Sequence, residues 1–98
     1  MKKKSPKLSK TSIVPGTYLP SGVKGEISFD DYGVIFTPDQ ETPEVKKFIV
    51  RYDEIIDAVQ ESKLFKPKSV VLTTKKSGQY KLQSPDATGI IKYLFDKF

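Results

Sequence analysis

A chain of 98 residues with 37% hydrophobic content has room for one small core and no second one. It contains no histidine and no cysteine, which excludes imidazole and thiol catalysis as well as zinc and iron–sulfur ligation through those side chains. The formal net charge of +5 belongs to the first ten residues, where Lys2, Lys3, Lys4, Lys7 and Lys10 stand without an acid, so the body that follows is neutral.

Residues 1–12 are rich in Lys, Ser and Thr and nearly devoid of apolar side chains; they are expected to form a disordered basic tail ahead of one domain spanning 13–98. The basic start lacks an apolar stretch behind it, so a secretory leader is not expected and the expected location is cytoplasmic. No run of about 18 apolar residues occurs, so no membrane-spanning helix is expected. Ile13-Val14 and Tyr18-Leu19 flank Pro15-Gly16, which reads either as an interrupted first strand or as an apolar strap over one end of the core.

From Val23 to Phe29 the alternation is clean, with Val23, Gly25, Ile27 and Phe29 on one face. Asp30-Asp31-Tyr32-Gly33 follows as a hairpin turn, Asp starting it and Gly supplying a positive φ, and Val34 to Thr37 returns antiparallel. After a polar loop, Val45–Arg51 predicts a strand, Tyr52-Asp53-Glu54 a corner, and Ile55–Val59 the next strand. At the corner Asp53 is expected to cap a turn and Tyr52 to lie over the barrel end with a wet hydroxyl. Gln60 to Pro67 is a loop. Ser69–Thr74 and Gln79–Gln83 are strands joined by the turn Lys75–Gly78, with Tyr80 and Leu82 inward.

The period then changes. Ser84-Pro85-Asp86 has the chemistry of a helix start, and Ala87, Ile90, Ile91, Leu94, Phe95 and Phe98 recur at helical steps. Gly89 interrupts that helix at about 1 kcal/mol relative to Ala, so docking must hold the helix in place. The expected fold is therefore mainly β (α+β), an antiparallel barrel or sandwich of six to seven strands capped by one C-terminal α-helix.

The segments GEISFDDYGVIF, FIVRYDEIIDAV and SVVLTTKKSGQYKL resemble the pleckstrin-homology-like superfold, in particular GRAM and bacterial PH-like domains. The likeness rests on Lys24-Gly25-Glu26-Ile27 in an early strand, on Ile49 through Ile56 with Tyr52 and Ile55 at the corner, and on the hairpin Lys75–Gly78. It implies a non-catalytic scaffold that binds lipid head groups, peptides or partner domains. The basic residues that lipid-binding members keep at the first hairpin are replaced here by Asp30-Asp31, which turns the expectation from a lipid toward a protein partner.

Residues 26–61 carry ten acids against Lys46, Lys47 and Arg51, whereas residues 62–85 carry six lysines and no acid. Interleaving as neighbouring strands is the preferred reading of this segregation, an electric dipole the other. Asp53, Glu54 and Asp57 read as a turn cap and solvated acids rather than a cation site, and no cofactor is expected. The candidate anion- or partner-binding set is Lys63, Phe65, Lys66, Lys68, Lys75, Lys76 and Lys81, with solvated edge lysines as the plainer reading. Leu64-Phe65 is expected first as a lid on the core and second as an apolar contact for a partner or bilayer. Two functions follow: a module binding another protein, at the edge strand of 45–51 or a groove beside the helix, and a binder of anionic membrane or nucleic acid through the 63–81 lysines and the tail. An edge strand also leaves self-association open.

Overall fold

Seven alternating segments pair as one antiparallel sheet, and the helical segment closes it. The structure, a computed structural model, describes residues 8–97. The strands are β1 (Ile13–Leu19), β2 (Val23–Phe29), β3 (Gly33–Pro38), β4 (Phe48–Arg51), β5 (Ile55–Glu61), β6 (Ser69–Thr74) and β7 (Gln79–Gln83), followed by α1 (Ala87–Phe95). Their order is β4-β3-β2-β1-β7-β6-β5, every neighbouring pair antiparallel. The two edge strands, β4 and β5, are consecutive in the chain and joined by a 3-10 turn at Tyr52–Glu54. The sheet must therefore curl. Phe48 of β4 stacks on Tyr80 of β7, four places along the sheet, with ring centroids 5.3 Å apart.

The inward residues are those the alternation assigns: Val14, Ile27, Phe29, Val34, Phe36, Val50, Leu72 and Leu82 are all buried. One end of the core is aromatic, where Tyr18 lies 5.0 Å from Phe48 and 5.9 Å from Phe36. The other end is closed by α1, whose Ala87, Ile90, Tyr93 and Leu94 are buried. Tyr93 meets Phe29 at 4.4 Å. Tyr93 thus takes the place expected for Phe95, which is 59% exposed; Phe98 falls outside the described residues.

Several local expectations are corrected by backbone needs. β1 is a continuous strand, not a strap; Pro15 pairs only with β2, since β7 joins from Thr17 onward, so its missing N–H falls on an edge. Val45–Lys47 are not strand. Val45 is buried, but its N–H goes to the Thr42 hydroxyl (3.0 Å) and its carbonyl takes the Thr42 N–H (3.0 Å), which closes a loop instead of a ladder. Gly33 does not supply a positive φ; those glycines are Gly22 and Gly78. Gly33 is required by proximity, because a Cβ there would overlap the Val50 carbonyl oxygen and lie 2.8 Å from Arg51 Cα. Asp30 does start the turn, its carboxylate accepting from the N–H of Tyr32 (2.7 Å) and of Gly33 (3.0 Å).

Ser84 does not cap α1 in the usual way. Its hydroxyl is buried, donates to the Pro15 carbonyl at 2.7 Å and accepts from the Asp86 N–H at 3.1 Å, tying the helix entry to β1. Residues 8–12, placed in the tail by composition, form a turn in which Ser12 N–H donates to the Ser9 carbonyl and Leu8 packs on the core.

Candidate functional site

The loop after β5 is tied at its base and closed by a tight turn at its tip. At its base, the Ser84 N–H donates to the Lys68 carbonyl at 2.9 Å. At its tip, the Lys66 N–H donates to the Lys63 carbonyl at 3.1 Å, closing a four-residue turn with Leu64 and Phe65 at its centre. Phe65, the third residue of that turn, has φ 64°, the left-handed conformation that turns of this kind reserve for Gly or Asn. Leu64 is 82% and Phe65 96% exposed. The lid reading is therefore corrected: neither side chain covers the core, and the tip holds both in solvent.

Lys63, Lys66, Lys68 and Lys81 belong to this end of the molecule. Lys63, Lys66 and Lys81, with Glu61, Leu19 and Pro67, line a shallow groove of about 190 Å³ at the foot of the loop. Lys81 projects from the outer face of β7 and forms an ion pair with Glu61 at the end of β5. That hydrogen bond holds the Glu61 carboxyl below the ordinary carboxylate range, with Lys63 adding to the effect. Glu61 is the partner that sequence reasoning missed; its position at the close of the alternating β5 was the available signal.

Lys75 and Lys76 do not join them. They sit on the β6–β7 hairpin, with the whole of β6 between them and Lys68, roughly 23 Å at about 3.3 Å per residue. There the Lys75 N–H donates to the Glu54 carbonyl at 2.9 Å, and the Lys75 charge contributes to holding the Asp53 carboxyl down. The main cause of that depression is Arg51, whose Nε and Nη2 donate to the two Asp53 oxygens at 3.2 and 3.1 Å. Asp53 is thus an ion-pair partner and not the turn cap expected of it. Glu61 with Lys81 and Asp53 with Lys75 are points where the two charge blocks interleave; Asp39, Glu41 and Glu44 lie on the β3–β4 loop, where Asp39 shares a cavity with Pro67 of the lysine loop.

At the corner, the Tyr52 hydroxyl is not wet as expected. It donates to the Asp30 carbonyl at 3.0 Å and lies 3.5 Å from the Tyr93 hydroxyl. Burial, reinforced by Tyr93, pushes its phenol upward and keeps it neutral. Asp57 Oδ1 accepts from the Ala58 N–H at 3.0 Å. Among the described residues no group of three or more carboxylates is placed to hold a metal ion, and no helix is long and apolar enough to cross a membrane.

Two further surfaces border the sheet. Along β4, Tyr52 N–H donates to the Tyr32 carbonyl of the β3 side at 2.9 Å, so alternation turns the backbone groups of Ile49 and Arg51 to the outer edge. A groove of about 150 Å³ runs there, lined by Ile49, Arg51, Glu54, Thr74, Ser77 and Tyr80. Beside α1 a cavity of about 320 Å³ is lined by Leu8, Gly89, Lys92, Tyr93, Phe95 and Asp96. No protein-family model matches this chain, and no match to it is found among curated proteins.

Proposed function

We propose that this chain is a PH-like, non-catalytic binding module that docks through the 62–68 loop onto an anionic membrane surface. The observation that carries this reading is the tip itself: Leu64 and Phe65 are held in water by a strained turn, among Lys63, Lys66 and Lys68. An apolar tip ringed by cations matches a bilayer interface, where the side chains enter the acyl boundary and the lysines stay with the head groups. Full burial of the two side chains is worth roughly 1.5–3 kcal/mol each, and three lysines add ~1 kcal/mol each beside an anionic surface. The gross gain of roughly 6–9 kcal/mol is largely offset by the cost of immobilisation, which makes the dock reversible.

The test is co-sedimentation with phosphatidylserine-containing vesicles, with zwitterionic vesicles, and with double-stranded DNA, each at low and at physiological salt. Retention on the anionic vesicles, lost in Leu64→Ser/Phe65→Ser with all lysines intact, is the expected result. Retention on DNA that ignores the double substitution would move the reading to a nucleic-acid binder. No retention on either anionic probe at low salt overturns it.

A second reading, a protein partner, is favoured by the β4 edge: an extended peptide could pair with Ile49 and Arg51 over the Tyr80 groove. Replacement of Ile49 by Pro, which blocks an added ladder, would abolish that binding and leave vesicle retention intact.

A further inference from the structure

The segment ahead of β1 is fastened at two places outside the docking loop. Leu8 packs over α1 at Gly89, where an added Cβ would lie 3.3 Å from Leu8 Cγ and 3.4 Å from its Cδ1. Two residues on, Lys10 Nζ reaches Asp31 Oδ1 of the β2–β3 turn at 3.1 Å. Between these points the Ser9 and Ser12 backbones close a small turn, with Ser9 N–H donating to Ser12 Oγ at 2.9 Å. The fastening is shallow. Ser9, Lys10 and Thr11 are exposed, Leu8 is only half-buried, and the cavity it borders stays open beside Phe95.

Gly89 explains why a helix of nine residues tolerates its poorest ordinary member. The missing side chain is the seat of Leu8. Such a contact, one apolar seat and one surface ion pair, has two states close in free energy, and the ion pair weakens with ionic strength.

We propose that residues 8–12 are a charge-sensitive clasp: closed, it seats Leu8 on α1 and neutralises Lys10 with Asp31; open, it frees Lys10 and uncovers the groove between Gly89 and Phe95. Salt or a competing anion that takes Lys10 from Asp31 opens it. The clasp stands apart from the membrane reading, since its parts lie outside the 62–68 loop.

Trypsin cleavage after Lys10, followed by mass spectrometry of the fragment beginning at Thr11, reads the open state, because the 9–12 turn must unwind to enter the protease. An unstructured Lys-Thr peptide in the same buffers corrects for salt effects on the enzyme. Leu8→Ala is expected to raise the cleavage rate about tenfold with the far-UV spectrum and melting temperature retained. Gly89→Ala should loosen the clasp while raising global stability through helix propensity, a split that loss of folding would not produce. Raising salt should speed cleavage of the wild type and leave Asp31→Asn, already fast, unmoved. Wild-type cleavage as fast as Leu8→Ala, or cleavage of Asp31→Asn that accelerates with salt as much as the wild type's, overturns the clasp.

Discussion

Replacing Phe65 by glycine separates what the tip contributes to folding from what it contributes to binding. The side chain is 96% exposed, so its removal leaves no cavity. Its backbone sits at φ 64°, where a bulky L-residue is strained by about 1–2 kcal/mol. Glycine relieves that strain and returns roughly 0.5–1 kcal/mol through its freer unfolded chain. The net expectation is a stabilisation of roughly 0.5–1 kcal/mol, a rise of about 2–6 °C in melting temperature for a domain of this size. Binding should move the other way, with retention on anionic vesicles down by roughly 10- to 100-fold, the partition energy of one buried Phe. Phe65→Asn, which tolerates the left-handed region without glycine's entropy, should be at least as stable. Differential scanning calorimetry and vesicle titration on the same samples decide the matter. A lowered melting temperature would mean that Phe65 packs on the fold, and unchanged vesicle binding would mean that the tip is not the contact.

Other expectations bear on the scaffold and on the choice of partner. Gly25→Ala would drive a Cβ into the Thr37 carbonyl oxygen and to 2.7 Å from Pro38 Cα; because backbone cannot yield cheaply, urea titration should show a loss of about 3 kcal/mol or more. Ser84→Ala should cost roughly 1–3 kcal/mol by the same assay, since it strips the Pro15 carbonyl and the Asp86 N–H of the buried hydroxyl they share. Glu61 has a folded value depressed below its ordinary 4.5, so the stability it brings is present above that pH and is lost as pH falls through the folded value; a melting-temperature profile from pH 5 to about 2 should be shallower in Glu61→Gln. Val59→Ser, on the outer face of β5, should leave vesicle retention unchanged and would weaken a protein interface laid over that face.

Period and turn chemistry carried most of the fold in the sequence. The faces of β2, β6 and β7 and the helical steps after Ser84 are local patterns, and the sheet pairs as they dictate. Part of what stayed hidden is a local side-chain-to-backbone bond, and the rest was decided between segments distant in the chain. Thr42 takes the backbone of Val45 out of the ladder, Phe29 draws Tyr93 inward in place of Phe95, and Leu8 turns an unexplained Gly89 into a seat. The site follows the same division. Proximity along the chain puts Lys63, Lys66 and Lys68 on one loop, and alternation would place Lys81 outward, but β6 carries Lys75 and Lys76 to the far end of the sheet. Phe65 stood out by type and charge context; its backbone strain has no signature in composition.

The choice between a bilayer and a protein turns on shape. A stable protein partner needs about 800 Å² of fitted surface from each side, and two side chains on a turn do not supply it. A rigid interface built on that tip would have to spread down the outer face of β5 across Val59 and Ile56, both exposed, and there it would meet the bulge between Ile55 and Asp57 that disturbs the pleat. A bilayer makes no such demand, because acyl chains close around any apolar tip and head groups rearrange around each lysine. The inward-facing residues of the sheet and α1 already fill the core without Leu64 and Phe65. Under the proposed membrane reading, their removal from it, against the strain at φ 64°, is what a contact with a soft, anionic surface outside the molecule would use.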